Sequence, residues 1–336
     1  MKILVNSYLN FAQNTAGGVY SKVNNYIKSA QVPEVFIKPF DIWNDKVKDF
    51  DIVHYFALKT EFFDQMVMAK KLGKKVVISS IVTIADAKRF RLKIFLGKLF
   101  HLQTNENIQK RMLDMADAII AETDLEKEYI LKAYGTNSEK VHVIPNGVSE
   151  EIIDGDPNLF KTKFGIKKDF VLQVGRFDTN KNQLSVIRAM KNTDIPIVFI
   201  GGADSTSPEY YDICRKEASD NCYFVGWINH SDPSMASAYA AAKVLVLPSH
   251  HEIFGNAIFE GAMTGCNIVV TNVLPLDEFG FTNHAYPVDS NSIDSIRDAI
   301  IMAYDKPVDV EFANFIRNRY SLKSIFDRYL QIYKSL

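Results

Sequence analysis

Short apolar, β-branched runs recur along the chain, separated by stretches whose apolar positions fall at helical spacing. Ile3-Leu4-Val5, Val35-Phe36-Ile37, Asp51-Ile52-Val53-His54, Lys75-Val76-Val77-Ile78, Ala118-Ile119-Ile120 and Val141-His142-Val143-Ile144 read as strands. Such runs suit strands buried on both faces. Strands alternating with helices predict βαβ units and a parallel sheet. The pattern then restarts with Phe170–Val174, Pro196–Ile200, Cys222–Val225, Val244–Leu247 and Asn267–Val270. Two doubly wound α/β sheets are expected. The turn residues Gly155-Asp156-Pro157-Asn158 follow Pro145-Asn146-Gly147 and place the seam between Glu150 and Lys167. This reading gives a first domain over 1–160, a second over 161–315 and a terminal segment over 316–336. In that last segment Ser321 is expected to cap a helix over Leu322–Ser335. Ile325, Tyr329, Ile332 and Tyr333 make its apolar stripe, which should dock on the first domain.

At 336 residues the chain exceeds the size at which one core stops growing, in keeping with two domains. Its apolar share of 47% and charged share of 24% are those of a globular protein and exclude a disordered or fibrous chain. A net charge of −1 excludes the strongly basic surface of a nucleic-acid binder. Cys214, Cys222 and Cys266 form no C-x-x-C pair and read as reduced thiols of the cytoplasm. The opening Met1-Lys2-Ile3-Leu4-Val5-Asn6-Ser7 lacks a signal-peptide core, and no apolar run approaches the length of a membrane span.

Open parallel sheets bind ligands beyond the carboxyl ends of their strands, and two such sheets facing one another would form a cleft. Three loops are candidates. Asn14-Thr15-Ala16-Gly17-Gly18-Val19 opens a helix, where adjacent glycines let the backbone approach a phosphate or sugar; a plain flexible turn explains them equally well. Val174-Gly175-Arg176-Phe177-Asp178-Thr179-Asn180-Lys181 carries two cations able to converge on a diphosphate, or simply to sit in solvent. The third, Pro248-Ser249-His250-His251-Glu252-Ile253-Phe254-Gly255-Asn256-Ala257-Ile258-Phe259-Glu260, decides between these readings. A helix starting near Gly255 offers N–H groups of Gly255, Asn256 and Ala257 to phosphate, while Glu252 and Glu260 flank it as acceptors for sugar hydroxyls. The arrangement suits a nucleotide sugar.

Glu252-x7-Glu260 with Phe254-Gly255 between them, preceded by Pro248-Ser249, resembles the hallmark of the retaining GT-B glycosyltransferases of family four. The resemblance extends to Gly17-Gly18, Ala116–Ala121, Val143-Ile144-Pro145-Asn146-Gly147-Val148, the Gly175-Arg176 to Lys181 spacing, and Gly265 before Ile268-Val269-Val270. It implies two Rossmann-like domains, the first for an acceptor and the second for a UDP- or GDP-sugar. It also implies transfer with retention and without a metal or other cofactor. Arg176 and Lys181 would hold the diphosphate, Glu252 the transferred sugar, Glu260 the ribose, and Gly226 and Trp227 the base. The acceptor would be a saccharide, free or lipid-linked, as in bacterial surface polysaccharide or glycolipid synthesis. The His usual after the fourth strand is missing; Ile78-Ser79-Ser80-Ile81-Val82-Thr83 stands there, and no residue is assigned its role. His54, His101, His250 and His251 read as packing or surface residues. Asn182 stands where Gly is usual and Asn267 where Pro is usual. A nucleotide-sugar epimerase on this fold and a two-lobed sugar-binding protein are the alternatives.

One helical stretch, 86–101, carries five Lys or Arg and a single acid. Leu92, Phe95, Leu96 and Leu99 share a face and are expected to dock on the first domain. Phe90 and Ile94 fall opposite, with Arg91 and Lys98 on one edge and Lys93 on the other, the layout of a surface resting on anionic lipid.

Overall fold

A computed structural model of the chain describes residues 1–7, 18–30, 32–204 and 208–336. The strands are β1 (Lys2–Ser7), β2 (Phe36–Pro39), β3 (Ile52–Phe56), β4 (Lys75–Ser79), β5 (Ala118–Ala121), β6 (Val141–Val143), β7 (Val171–Val174), β8 (Ile197–Ile200), β9 (Cys222–Gly226), β10 (Val244–Leu247), β11 (Asn267–Thr271) and β12 (Ala285–Val288). The helices of the first half are α1 (Gly18–Ser29), α2 (Phe63–Lys71), α3 (Ala87–Leu99), α4 (Asn105–Met115) and α5 (Asp124–Tyr134). Then come α6 (Pro157–Phe164), α7 (Gln183–Ala189), α8 (Pro208–Glu217), α9 (Pro233–Ala241), α10 (Asn256–Thr264), α11 (Leu276–Phe279), α12 (Ile293–Tyr304), α13 (Val310–Tyr320) and α14 (Leu322–Ser335). The expected fold class is the observed one: two six-stranded parallel sheets flanked by helices.

The chain divides into two compact units, 1–147 with 322–336, and 148–321. In the first, the sheet runs β2-β1-β3-β4-β5-β6. Alternate strand residues feed opposite layers: Leu4, Val53, Tyr55, Val76, Ile78 and Ile119 pack under α2, α4 and α5, while Ile3, Val5, Ile52, Val77, Ala118 and Ile120 pack under α1 and α14. The terminal helix thus docks in the first unit as expected, through Ile325, Phe326, Tyr329, Leu330 and Tyr333. It starts at Leu322, and residues 316–321 belong to the second unit, where Ile316 and Tyr320 are core residues.

In the second unit the order is β12-β11-β10-β7-β8-β9. The seam lies at 147–148, earlier than the 160–161 expected. The turn at Gly155–Asn158 is present, but it caps α6: Asp156 accepts from the Asn158 N–H, and Pro157 opens the helix. Gly155 then packs so tightly on α9 that a Cβ there would lie 2.2 Å from the Ala236 carbonyl oxygen. Ser237 accepts from the Phe160 N–H, and Val148, Ile152 and Phe160 are core residues of this unit.

Helix α3 is turned the other way round from expectation. Phe90 and Ile94 pack on the core of the first unit, Phe90 against the rings of Tyr129 and Tyr134, while Leu92, Phe95, Leu96 and Leu99 are exposed. Gly97, on the inner side, is the reason. A Cβ at Gly97 would lie 2.1 Å from Asn107 Nδ2, so the α3 backbone at Gly97 seats the Asn107 side chain of α4.

Candidate active site

In the second unit the strand order reverses between β7 and β10, which are paired neighbours. The loops beyond their carboxyl ends therefore form the crevice where open α/β sheets bind ligands. They are Gly175–Asn182 and Pro248–Gly255. Asn180 locks them together: its Oδ1 accepts from the His251 N–H at 2.8 Å, its Nδ2 donates to the His251 carbonyl at 3.0 Å, and its own carbonyl accepts from His250. Asn182 adopts the left-handed conformation at φ 60°, which Asn tolerates and Gly fits without strain, so the departure at this position is conformationally neutral. Its amide also ties Pro248 to Ser290.

The expected cations meet at this point already charge-compensated. Lys181 Nζ lies 2.6 Å from Glu252, both side chains being largely buried. Arg176 lies 3.0 Å from the buried Asp204 and 3.4 Å from Asp178, and is half-exposed. Backbone fixes the pair further: Gln183 donates to the Arg176 carbonyl, and Gln173 to that of Lys181. Asp178 accepts from the Lys181 N–H.

Helix α10 begins after Gly255, whose φ of 75° turns the chain into it, and as the N-cap residue this glycine supplies no side-chain cap. A Cβ at Gly255 would lie 2.7 Å from Ile258 and 3.2 Å from the Glu252 side chain, so this glycine keeps Glu252 close to the helix start. Glu260 is held on the second turn by two donors, the hydroxyl of the buried Tyr239 and His230 Nε2 at 3.0 Å. Burial, with the Glu260 charge beside it, pushes the Tyr239 phenol well above its ordinary range, so it stays the donor. Phe254, between the two carboxylates of the motif, is a core residue. Its side chain stacks on Phe259 at 3.8 Å inside the core and presents only its backbone to the loop.

Three strand ends abut beside Arg176. Gly201 donates to the Gly226 carbonyl, and Gly175 to that of Ile200. A Cβ at Gly201 would sit 1.9 Å from the Gly175 oxygen, and one at Gly202 would strike the Trp227 indole. Trp227 thus lies over a side-chain-free floor with much of its ring exposed. The pair Gly201-Gly202, Asp204, Tyr239 and His230 were missed in the sequence. The first could have been seen as a second Gly-Gly after a strand; the others have no local signal.

In the first unit, Gly17 lies outside the described residues, and Gly18 opens α1. One turn on, Lys22 pairs with Glu122 at 2.7 Å, both buried. Glu126 beside them accepts from Ser80 and from the Val82 and Glu122 N–H groups, and burial raises its pKa, Glu122 adding to the effect. Ser79 bonds His54 at 3.0 Å. The serines standing where the family's His is usual are therefore committed to structural bonds. No helix among the described residues is long and apolar enough to cross a membrane.

Comparison with known proteins places this geometry in a family. Residues 156–320 match the family described as Glycosyl transferases group 1, and residues 36–152 match Glycosyltransferase Family 4. The chain is 25% identical over 307 residues to an uncharacterized 41.2 kDa protein in the cps region of Klebsiella pneumoniae, covering 86% of this chain and 80% of that one. It is 24% identical over 256 residues to O-antigen chain mannosyltransferase C of Escherichia coli, covering 73% of this chain and 64% of that relative. Among solved structures, Anabaena HepE in complex with UDP superposes with a TM-score of 0.78 at 14% identity over the whole of both chains, and shares the fold. That protein has also been solved with UDP-glucose. With one family pattern on each half and GT-B neighbours throughout, the chain belongs to the group 1, family 4 glycosyltransferases.

Proposed function

We propose that this glycosyltransferase moves a hexosyl unit, with retention and without a metal, from a UDP- or GDP-sugar to a saccharide or lipid-linked saccharide. The observation that carries the reading is the convergence at one switch point of Arg176, Lys181 and the N-terminus of α10, with Glu252 and Glu260 on either side. The two cations and the helix start direct positive potential at a diphosphate. Lys181, bonded to Glu252, bridges that carboxylate to the phosphate, so Glu252 is oriented toward the hydroxyls of the transferred sugar. Glu260, held by Tyr239 and His230, accepts from the ribose hydroxyls, and Gly175, Gly226 and Trp227 border the base. In the transfer step the bond from the anomeric carbon to the phosphate oxygen breaks and the acceptor oxygen bonds to that carbon on the same face. The acceptor proton passes to the departing phosphate, releasing the nucleoside diphosphate. Surface polysaccharide or glycolipid synthesis in the cytoplasm, at the inner face of a bacterial membrane, fits the cps-region and O-antigen relatives.

The test is a panel of UDP- and GDP-sugars read by thermal stabilisation and donor turnover, with and without EDTA. One nucleotide class stabilises the protein, and turnover survives chelation. Lys181→Ala and Glu260→Ala each lower turnover by on the order of 100-fold with the fold intact. Wild-type turnover in either variant, or EDTA loss restored by magnesium or manganese, overturns the reading.

A further inference from the structure

The docking of α3 by Phe90, Ile94 and Gly97 leaves its second apolar face outside. Leu92, Phe95, Leu96 and Leu99, followed by Phe100 and Leu102, expose six large apolar side chains within eleven residues, between 41% and 64% of each. Surface leucines scattered singly need no explanation, but a contiguous row this size on a soluble unit marks a contact. The row is bordered by cations. At 3.6 residues per turn, Arg91 and Lys98 lie along one edge, Arg89 and Lys93 along the other, and Lys88 continues the crest at its N-terminal end. Among the described residues no carboxylate forms an ion pair with Arg91 or Lys98, and Lys93 reaches Glu106 only at 3.4 Å. The acid of the segment, Asp86, is spent on capping the helix through the Lys88 and Arg89 N–H groups.

A second protein copy would bring its own basic rims against these, whereas a bilayer surface with anionic head groups offers acyl chains to the crest and negative charge to both edges. We infer that α3 lies in the plane of an anionic membrane surface, with Leu92, Phe95, Leu96 and Leu99 seated below the head groups and Arg91, Lys98 and Arg89 among them. This contact is independent of the donor site; it places a lipid-linked acceptor within reach of the enzyme but does not require one.

The experiment is co-sedimentation of the full chain with phosphatidylcholine vesicles, with and without phosphatidylglycerol, at low and high salt and without donor. Wild type binds the anionic vesicles and is released by salt. Arg91→Glu with Lys98→Glu weakens binding by at least about 30-fold, two basic contacts being lost and two acids added. Leu96→Ser with Leu99→Ser weakens it as strongly while leaving residual salt-dependent attachment, and far-UV circular dichroism with a cooperative thermal transition confirms that each variant is folded. Three results overturn the inference: no binding by wild type, equal binding by folded variants, or a concentration-dependent dimer in solution that the Leu96 and Leu99 changes dissolve. Because vesicle binding is read without turnover, it can fail while the donor reading stands, and the converse.

Discussion

At the scale of single residues, the loops after β7 and β10 pair their cations with carboxylates. Arg176, half-exposed, rests on Asp204 and the largely buried Lys181 on Glu252, so each cation is already paired. On the proposed reading, a diphosphate would share these cations with carboxylates that stay in place, which would favour a ligand carrying hydroxyls for those carboxylates over a bare phosphate. Tyr239 tests the other end of the site. Its phenol is kept protonated by burial and donates to Glu260; a hydrogen bond to a charged group is worth about 1.5–3 kcal/mol. Tyr239→Phe is therefore expected to raise the donor KM by at least about tenfold, with kcat falling less, in steady-state turnover. An unchanged donor KM would separate Glu260 from donor binding. The motif residues themselves were legible in the sequence because they are contiguous; Asp204, His230 and Tyr239 were not, because their only link to Glu260 or Arg176 is spatial.

Among the elements, α14 shows how a helix from the far end of the chain is fastened into the first sheet. Tyr333 bonds His54 Nδ1 at 2.7 Å and shares a hydrogen bond with Tyr26, while His54 Nε2 reaches Ser79 on β4. Burial, and secondarily the Lys22 charge, holds His54 well below its ordinary value of 6.5, so it is neutral in the fold. The folded state then binds fewer protons than the unfolded state below pH 6.5. Its stability is full above that value and falls as the pH drops toward the folded pKa, by up to about 1.4 kcal/mol per pH unit. Glu126, raised by burial, works with the opposite sign, so the comparison is between wild type and His54→Gln. Denaturant unfolding at pH 7 and at lower pH should show a steeper loss for wild type than for the variant. Parallel slopes would mean that His54 titrates normally.

For the molecule as a whole, the chain enters the second unit at Val148 and leaves it at Ser321, which pair as a parallel bridge. The first unit is complete only when α14 has returned. Five of its buried side chains come from that helix, and their burial contributes on the order of 10 kcal/mol, as much as the net stability of a domain. Removing residues 322–336 is thus expected to unfold the first unit while 148–321 keeps its own core. Limited proteolysis would read this as cleavage spread over 1–147 with a protected fragment from the second unit. Protection of both halves would show that α14 is dispensable.

The sequence by itself determined the α/β class, the doubling of the sheet, the docking of the terminal helix and the family, because these rest on local period and on motifs read within a few residues. Tertiary structure decided the rest. The seam moved to 147–148 because Gly155 and Phe160 find their partners on α9, some eighty residues away. Phe254 packs into the core because Phe259 offers it a parallel ring, and no spacing rule distinguishes a buried from a ligand-facing phenylalanine. Helix α3 carries apolar residues on two opposite faces, so its pattern permits either to dock. In the fold Phe90 packs on Tyr129 and Tyr134 and Gly97 makes room for the Asn107 side chain of α4, which leaves the wider leucine face outside.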